Sequence, residues 1–376
     1  MEPKENRRLK TLLGLCRKLA LVFSVLLVLQ VLFQNEEGKR PEIRGIWVTR
    51  STLTSKESII QMLSDVKDAN LTDVFVQVNA NGYAYYASDR LPPAVASFDP
   101  LGFVLEEAAK RDLRVHAWVN AFTTGSLGSP PSDPRHVLFQ HPEWSTVDIK
   151  GVPVLEYPKS RASEALPTQY LEPGLPEVQR WVIDNCLEIV EKYPVAGIHL
   201  DFLRYPGKEF GYHPQVLERF EEEHGALHLG FEVDGDFKAE EAFNRFRREQ
   251  ITFIIQSIFE GVKKQKKEVS VSAAVYPSYD DALNHKFQDW FTWLERGYAD
   301  FVCPMIYTPD YDLFLHGLAE IMGPDIDQSK VAVGLGAYQD QKEGVAEKIQ
   351  TLKEHGFYGF VLFSYDALKE RDTLDF

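Results

Sequence analysis

Asp201 is the residue in this sequence whose type and position most clearly suit chemistry. It lies in the short stretch Gly197–Phe202 (GIHLDF), in which Ile198 and Leu200 alternate with His199 and Asp201. Successive residues of a strand point to opposite faces, so a strand here would place Asp201 and His199 opposite the apolar pair. A carboxylate on a buried face is costly unless it is bonded. We therefore expect Asp201 to be a functional residue.

Seven other apolar stretches carry polar residues at comparable positions. Alternation places one polar side chain last on the inward face of each strand: Thr49, Asn79, Asn120, Asp201, Tyr276, Tyr307, Tyr338 and Tyr365. Gln77, Trp118 and His199 point inward at deeper positions, although His199 also fits an interior residue with its own hydrogen bonds. Amides, phenols and a carboxylate bind hydroxyl groups, and aromatic rings stack on the apolar faces of sugars. The set predicts a site for a polyhydroxylated ligand.

Eight strands that alternate with amphipathic helices must position these residues. The predicted strands are Gly45–Thr49, Asp73–Asn79, Arg114–Asn120, Gly197–Phe202, Val269–Tyr276, Phe301–Tyr307, Val331–Tyr338 and Gly359–Tyr365. The predicted helices are Lys56–Ala69, Pro100–Arg111, Pro176–Tyr193, Ala242–Lys264, Phe287–Arg296 and Glu343–His355. Eight such units favour a closed (β/α)8 TIM barrel over an open sheet. No Gly-x-Gly-x-x-Gly follows the first strand, which argues against a dinucleotide-binding domain.

One domain, residues 41–376, holds all eight units. Two of its loops are long, residues 121–174 after the third strand and residues 204–238 after the fourth. Loops that follow strands lie on the face of a barrel where active sites form. We therefore expect these two loops to be the walls of a cleft.

Residues 1–35 have the pattern of a basic cytoplasmic tail followed by a membrane anchor helix. Basic residues are frequent up to Lys18, and an apolar run from Leu19 to Phe33 follows them. This order is typical of an export signal, and no small-residue cleavage site comes after it. We expect an uncleaved signal-anchor with the barrel outside the cytoplasm. A cleaved signal would instead give a secreted protein.

Charge and cysteine content restrict the partners. The formal net charge is −15, from 41 basic and 56 acidic residues. This balance argues against nucleic acid and against a polyanionic substrate. Cys186 and Cys303 lie in a helical and a strand pattern, and we expect both to be small buried hydrophobic residues. The spacing of histidines and carboxylates does not require a metal, and no cofactor is expected.

Longer motifs stand at the strand ends and in the loops after them: GIWVTR (Gly45–Arg50), VFVQVNANGYAYYAS (Val74–Ser88), HAWVNAF (His116–Phe122), YLEPGLPEVQ (Tyr170–Gln179), GIHLDFLRYP (Gly197–Pro206), FGYHP (Phe210–Pro214) and DFVCPMIY (Asp300–Tyr307). Together they resemble the glycosyl-hydrolase-like 10 family from about Pro41 to the C-terminus. The resemblance implies an extracytoplasmic glycoside hydrolase that acts on a cell-envelope or related polysaccharide, such as peptidoglycan glycan strands free of peptide. The alternative is a glycan-binding protein on a barrel without catalysis.

Glycoside hydrolysis usually needs two carboxyls, an acid and a nucleophile or base. Our hypothesis makes Asp201 the nucleophile or base, with Arg204 nearby keeping it ionised. The first choice for its partner is Glu172, which could equally be a carboxylate at the start of the helix near Pro176. The further candidates, in order, are Asp310, the pair Asp280 and Asp281, and Asp366.

The expected substrate-binding residues are Gln77, Asn79, Trp118, Asn120, His199, Arg204, Tyr205, Tyr276, Tyr307, Tyr338 and Tyr365. Arg247 and Arg248 match a basic patch of the family, and we expect them mainly to pack the loop after the fourth strand. A weaker likeness to chitinase-type barrels aligns Asp201 with the second Asp of their Asp-x-Asp-x-Glu motif. Leu203 stands in place of their proton donor, so the chitinase mechanism does not carry over.

Overall fold

The computed structural model describes residues 42–129, 131–163, 166–225, 237–323 and 326–371. The chain divides into two units, residues 1–42 and Ile43–Phe376, and every strand and helix described belongs to the second. The expected tail and anchor helix, residues 1–35, lie outside the described residues. Among the described helices, none is both long enough and apolar enough to cross a membrane.

Eight parallel strands close into a barrel, which confirms the predicted fold class. The strands are β1 Ile43–Val48, β2 Asp73–Ala80, β3 Arg114–Asn120, β4 Gly197–Asp201, β5 Ser270–Val275, β6 Phe301–Ile306, β7 Ala332–Leu335 and β8 Gly359–Leu362. Each strand pairs with the next one along the chain, and β8 pairs with β1. Three short strands lie outside this order, with Tyr83–Ala84 pairing with β2 and Thr123–Gly125 with Gln169–Tyr170.

Helices follow the strands and cover the barrel. They are α1 Lys56–Asp68, α2 Pro100–Ala109, α3 Val137–Gln140, α4 Pro176–Lys192, α5 Pro214–His224, α6 Phe237–Gln265, α7 Trp290–Glu295, α8 Tyr311–Glu320, α9 Lys342–Glu354 and α10 Tyr365–Glu370. The six predicted helices are all present, with ends shifted by a few residues. The helices α3, α5, α8 and α10 are additional to the prediction, and α5 lies inside the long loop after β4.

Strand alternation sorts the apolar residues into two hydrophobic clusters. Ile198 and Leu200 belong to the large cluster that joins the strands to the helices. Trp47, Phe75 and Trp118 form a smaller cluster with other inward-facing residues. The inward direction inferred for Trp118 and the outward direction inferred for Ile198 are therefore confirmed.

An ion pair between the buried Asp73 and the partly exposed Arg114 lies at the N-terminal end of the barrel. The fully buried Asp73 accepts hydrogen bonds from His116 Nε2 at 2.9 Å and from Arg114 Nε at 2.8 Å. Burial alone would raise the pKa of Asp73, but the bonds from these two partners outweigh it and lower the pKa. His116 is thus an interior residue with a hydrogen bond of its own.

Candidate active site

The carboxyl group of Asp201 lies at the C-terminal end of β4, opposite Asn120 of β3. Its Oδ1 accepts a hydrogen bond from the Phe202 backbone N–H at 2.7 Å and lies 3.5 Å from Arg204 Nη1. Burial raises the pKa of Asp201, and the Arg204 charge and the Phe202 N–H lower it only in part. The expected Arg204 contact is present, but desolvation outweighs it. The carboxyl therefore holds a proton more readily than an exposed aspartate does.

Arg204 connects this carboxyl to aromatic rings. Its guanidinium lies 4.4 Å from the ring centre of Phe202 and 5.1 Å from that of Tyr276. The hydroxyl of Tyr170 donates to the carbonyls of Phe202 and Arg204 at 3.0 and 2.9 Å. Tyr170 belongs to the loop after β3. These bonds therefore fix the first turn of the loop after β4 against the loop after β3.

The amide side chains at the ends of β2 and β3 have different partners. Gln77 Oε1 accepts from both the backbone N–H and the Nη1 of Arg50 at 3.2 Å, and its Nε2 donates to Asn120 Oδ1 at 3.4 Å. Asn79 is 1 % exposed, and its Oδ1 and Nδ2 have no hydrogen-bond partner among the described residues. The amide oxygen and nitrogen of Gln77 thus have partners within the protein, whereas those of Asn79 have none among the described residues.

Trp118 lies one strand away from Asp201 and faces the same interior. Its indole Nε1 is buried and makes no well-formed hydrogen bond within the described part of the chain. The Trp118 indole nevertheless lowers the pKa of Asp201, so it lies within electrostatic reach of the carboxyl. Buried polar groups are normally bonded, and each exception calls for an explanation. Asn79 and Trp118 are two such exceptions near the mouth.

An aromatic cluster closes the opposite side of the mouth. Tyr307 stacks on Phe363 with ring centres 5.4 Å apart and meets Tyr338 and Trp47 edge-on, each at 6.4 Å. Burial, followed by the charge of Asp201, raises the pKa of Tyr307 well above its ordinary value. Tyr307 and Asp201 therefore share one environment, as their inward positions on β6 and β4 predict.

The structure places Tyr365 elsewhere. β8 ends at Leu362, and Tyr365 is the first residue of α10, where its hydroxyl donates to Asp65 of α1 at 2.8 Å. Phe363 instead brings the aromatic ring of this segment to Tyr307. Sequence reasoning missed Phe363 because alternation counted past the end of the strand. The hydrogen-bond partner of the Tyr365 hydroxyl is thus a residue of α1, not a group at the mouth.

His199 lies deeper than Asp201 and has no exposed surface. Its Nε2 accepts from the Trp47 indole N–H at 3.0 Å, so Nδ1 carries the proton and donates to Ser272 Oγ at 2.9 Å. Burial lowers the pKa of His199 well below its ordinary value, and the ring is neutral. Both nitrogens are thus occupied, and His199 orients Trp47 beneath the mouth.

Glu172 is fully buried behind the mouth, just before α4. It accepts from Thr146 Oγ1 at 2.7 Å and from the Gly174 backbone N–H at 3.1 Å, and burial raises its pKa to about 7. Tyr205, also without exposed surface, and Arg247 lower that pKa, so they lie close by. The structure thus gives Glu172 bonds to the loop that precedes α4, none to the helix itself, and no surface for a polysaccharide to reach.

Arg247 and Arg248 both have structural roles, Arg247 against the loop after β4 and Arg248 within α6. Arg247 Nη1 donates to the carbonyls of Lys208 and Phe210 at 2.8 and 2.6 Å. Arg248 pairs with Glu241 at 2.7 Å. These contacts agree with the structural role that the sequence suggests for the pair.

The remaining candidate carboxyls also hold local structure. Asp310 is exposed and caps α8 by accepting from the Leu313 backbone N–H at 2.9 Å. Asp366 accepts from the Thr49 backbone N–H at 2.8 Å and from the hydroxyls of Ser51 and Thr52 at 2.7 Å. Asp366 thereby fastens the turn after β1 to the start of α10.

One group of side chains in the described residues has the spacing for a cation. The loop after β5 contains Asp280, Asp281 and His285, each of which offers one ligand atom. These three atoms lie within 4.8 Å of one another. The carboxylates are exposed, and His285 Nδ1 already bonds Asp281 Oδ1 at 2.6 Å. Exposed acidic residues commonly pair in this way, so we assign them no metal.

A family model for "Glycosyl hydrolase-like 10" matches residues 42–330, which is more than half of the chain and includes β1 to β6 with both long loops. The chain belongs to the glycosyl hydrolase-like 10 family. The resemblance inferred from the motifs is confirmed, and the expectation of a glycosidase is confirmed at the level of the family.

Relatives and solved barrels agree with this assignment. Glycosyl hydrolase DigH of Escherichia coli strain K12 is 26 % identical, covering 84 % of this chain and 77 % of that protein. Glycosyl hydrolase YngK of Bacillus subtilis strain 168 is 23 % identical, covering 74 % and 57 %. The PgaB (BpsB) glycoside hydrolase domain of Bordetella bronchiseptica superposes with a TM-score of 0.67 at 15 % identity, over 89 % of this chain and 99 % of that one. At this identity the superposition shows the fold alone.

Proposed function

We propose that the protein is a glycoside hydrolase in which Asp201 gives a proton to the departing glycosidic oxygen. The observation that carries the proposal is the position of Asp201, a buried carboxyl of raised pKa at the end of a barrel strand. A carboxyl whose pKa is raised keeps its proton to higher pH, which is what a general acid requires. Membership of the glycosyl hydrolase-like 10 family and the similarity to the glycosyl hydrolases DigH and YngK support this reaction class.

The groups around Asp201 support a carbohydrate ligand. Asn79 has unused hydrogen-bonding capacity, which hydroxyl or amide groups of a sugar would fill, and the Trp118 indole faces the same interior beside the Asp201 carboxyl. Tyr307 and Phe363 offer stacked rings on the other side of the mouth. The net charge of −15 favours a neutral or weakly charged polymer, such as peptidoglycan glycan strands free of peptide. Such a substrate agrees with the export pattern of residues 1–35 and with a barrel outside the cytoplasm.

A glycan-binding protein without turnover is the second candidate. Glu172, Asp310 and Asp366 each hold hydrogen bonds within their own loop or helix start. The structure thus gives these three predicted partners of Asp201 other roles, which is the observation that favours binding alone.

Turnover by the full-length protein distinguishes the two functions. We expect new reducing ends from peptide-free glycan strands or chitin oligomers, and a loss of at least about 100-fold in Asp201→Asn, which cannot donate a carboxyl proton. Asp310→Asn is the matched control, because asparagine caps a helix as well as aspartate does. Equal activity in Asp201→Asn would contradict the role of Asp201. Tight binding of glycan without cleavage by the wild type would favour the binding protein.

A further inference from the structure

Arg50 follows β1 at the mouth of the barrel and reaches the inward-facing Gln77. Its Nη1 and its backbone N–H both donate to Gln77 Oε1 at 3.2 Å. Gln77 Nε2 in turn donates to Asn120 Oδ1 at 3.4 Å, and Asn120 lies opposite Asp201 in the sheet. The strands of Gln77 and Asp201 are two spacings apart, which is roughly 10 Å along the barrel wall. The guanidinium of Arg50 therefore lies on the same wall of the mouth as Asp201.

The side chain of Arg50 keeps most of its hydrogen-bonding capacity. An arginine offers five N–H donors in a planar fork, and the bond to Gln77 uses one of them. Within the part of the chain that the structure describes, Nε and Nη2 of Arg50 have no acceptor and the side chain forms no ion pair. Arg50 is partly exposed, so a ligand in the mouth can reach these donors.

Two other basic side chains near the mouth have partners within the protein. Arg204 lies 3.5 Å from the Asp201 carboxyl. Lys286 Nζ is buried and donates to the carbonyl of Pro206. Arg50 differs from both, because its charge faces a neutral amide and not a carboxylate.

The turn that carries Arg50 is held on both sides. Asp366 accepts from the backbone N–H of Thr49 at 2.8 Å and from the hydroxyls of Ser51 and Thr52 at 2.7 Å. Arg50 therefore projects from a fixed turn, which lowers the entropy that binding to it would cost.

The charge that a ligand meets in the mouth differs from the net charge of the chain. The net charge is −15, but screening at physiological salt limits distant charges to a range of about 8 Å. Burial raises the pKa of Tyr85, and the charge of Arg50 opposes this rise, so Arg50 acts on its surroundings in the mouth. A guanidinium with unused donors binds a carboxylate through two parallel hydrogen bonds. Arg50 therefore suits a single carboxylate on an otherwise neutral sugar polymer.

We propose that Arg50 is a specificity-determining residue that binds a carboxylate carried by a sugar of the glycan held at Asp201. The proposal rests on the proposed function and deepens it by giving the substrate class, a polymer in which some sugars carry a carboxylate substituent. Peptide-free peptidoglycan strands have such a group, the lactyl carboxylate, on alternate sugars, whereas chitin has none. Arg50 would distinguish these two polymers.

Turnover of peptide-free glycan strands by the full-length protein tests the role of Arg50. The comparison is the same strands after their carboxylates have been converted to methylamides. Arg50→Gln should raise KM for the native strands about tenfold more than KM for the amidated strands, with little change in kcat, because the lost contact stabilises bound substrate and transition state alike. Arg50→Lys keeps the charge without the fork and should recover part of the loss. An equal rise in KM for both kinds of strand would overturn the proposal.

Arg296→Gln is the matched control, because it removes the same charge from an exposed arginine at the end of α7. Barrel helices end beside the N-terminal ends of the strands, so Arg296 lies away from the mouth. This variant should keep the wild-type KM for both kinds of strand. A change in KM as large as that in Arg50→Gln would mean that net charge, and not a contact with Arg50, sets the preference.

Binding of native and amidated strands in the Asp201→Asn background separates this proposal from the hydrolase itself. Tighter binding of native strands that Arg50→Gln abolishes, combined with no cleavage by the wild type, would support the role of Arg50 and contradict the hydrolase. Cleavage by the wild type, combined with an equal effect of Arg50→Gln on both kinds of strand, would support the hydrolase and contradict the role of Arg50. Equal binding of both kinds of strand, or binding of neither, would also contradict it.

Discussion

Arg204 Nη1 lies 3.5 Å from Asp201 Oδ1, and the two residues are only 8 % and 9 % exposed. A pair so far from solvent gains little net stability, because the cost of desolvating two charges offsets their attraction. Its main effect is on protonation. Burial pushes the pKa of Asp201 up and Arg204 holds it back, so the arginine sets the pH at which the carboxyl loses its proton.

The variant Arg204→Gln should raise the pKa of Asp201 further, because it removes the opposing charge. If Asp201 donates a proton, the basic limb of the pH profile of kcat/KM moves to higher pH. If Asp201 acts as an ionised base or nucleophile, the acidic limb moves up instead. Arg204→Lys keeps the charge and should shift the profile less. A profile with both limbs unmoved would mean that Asp201 does not control the rate.

Glu172 should make stability depend on pH. Its pKa is about 7 in the folded protein against 4.5 for the ordinary group, so the native state keeps the proton longer than the unfolded chain. This stabilisation is complete below about pH 4.5 and is lost as the pH rises through about 7. Glu172→Gln cannot ionise, and its oxygen can still accept from the Gly174 N–H while its NH2 group donates to the Thr146 hydroxyl oxygen. The unfolding free energy of Glu172→Gln, relative to that of the wild type, should therefore increase by about 1–3 kcal/mol as the pH rises from about 5 to about 8.

Urea unfolding of both proteins across this pH range measures the gain. A constant difference between them would show that Glu172 titrates normally. The activity of Glu172→Gln is informative as well, because a buried structural carboxyl predicts a much smaller loss than Asp201→Asn produces.

Alternation along the strands made much of the mouth predictable. The inward directions of Trp118 and Asp201 follow from a period of two, which is a local property of an extended chain. Alternation predicts no side-chain direction beyond the end of a strand. β8 ends at Leu362, and the turn into α10 sends Tyr365 to α1 while Phe363 takes the place near Tyr307.

Other features depend on tertiary contacts that a single sequence does not reveal. The helix α8 escaped prediction because Leu313 and Leu315 are exposed at 59 % and 39 %, which blurs its apolar face. The bonds that Glu172 makes with Thr146 come from a loop partner 26 residues away. Carboxylates in loops look alike in a sequence, whether they cap helices or meet a substrate.

Trp47→Phe should destabilise the protein by about 1–3 kcal/mol, because it leaves the buried Nε2 of His199 without its donor. Urea unfolding measures the change. The same substitution in a His199→Leu background removes no hydrogen bond and should cost less, apart from the loss of ring volume common to both. An equal cost in the two backgrounds would indicate that the Trp47–His199 bond contributes nothing to stability.

Asn79→Leu should stabilise the folded protein and impair its function. The Asn79 amide is buried without a partner among the described residues, so an apolar side chain of similar size removes a desolvation cost of about 1–3 kcal/mol. If the amide is kept for a sugar, kcat/KM should fall about tenfold or more while the unfolding free energy rises. Gln77→Leu is the contrasting variant, because it breaks two bonds from Arg50 and should lower stability. A fall in stability for Asn79→Leu, with full activity, would show that Asn79 is bonded in solution and does not contact the ligand.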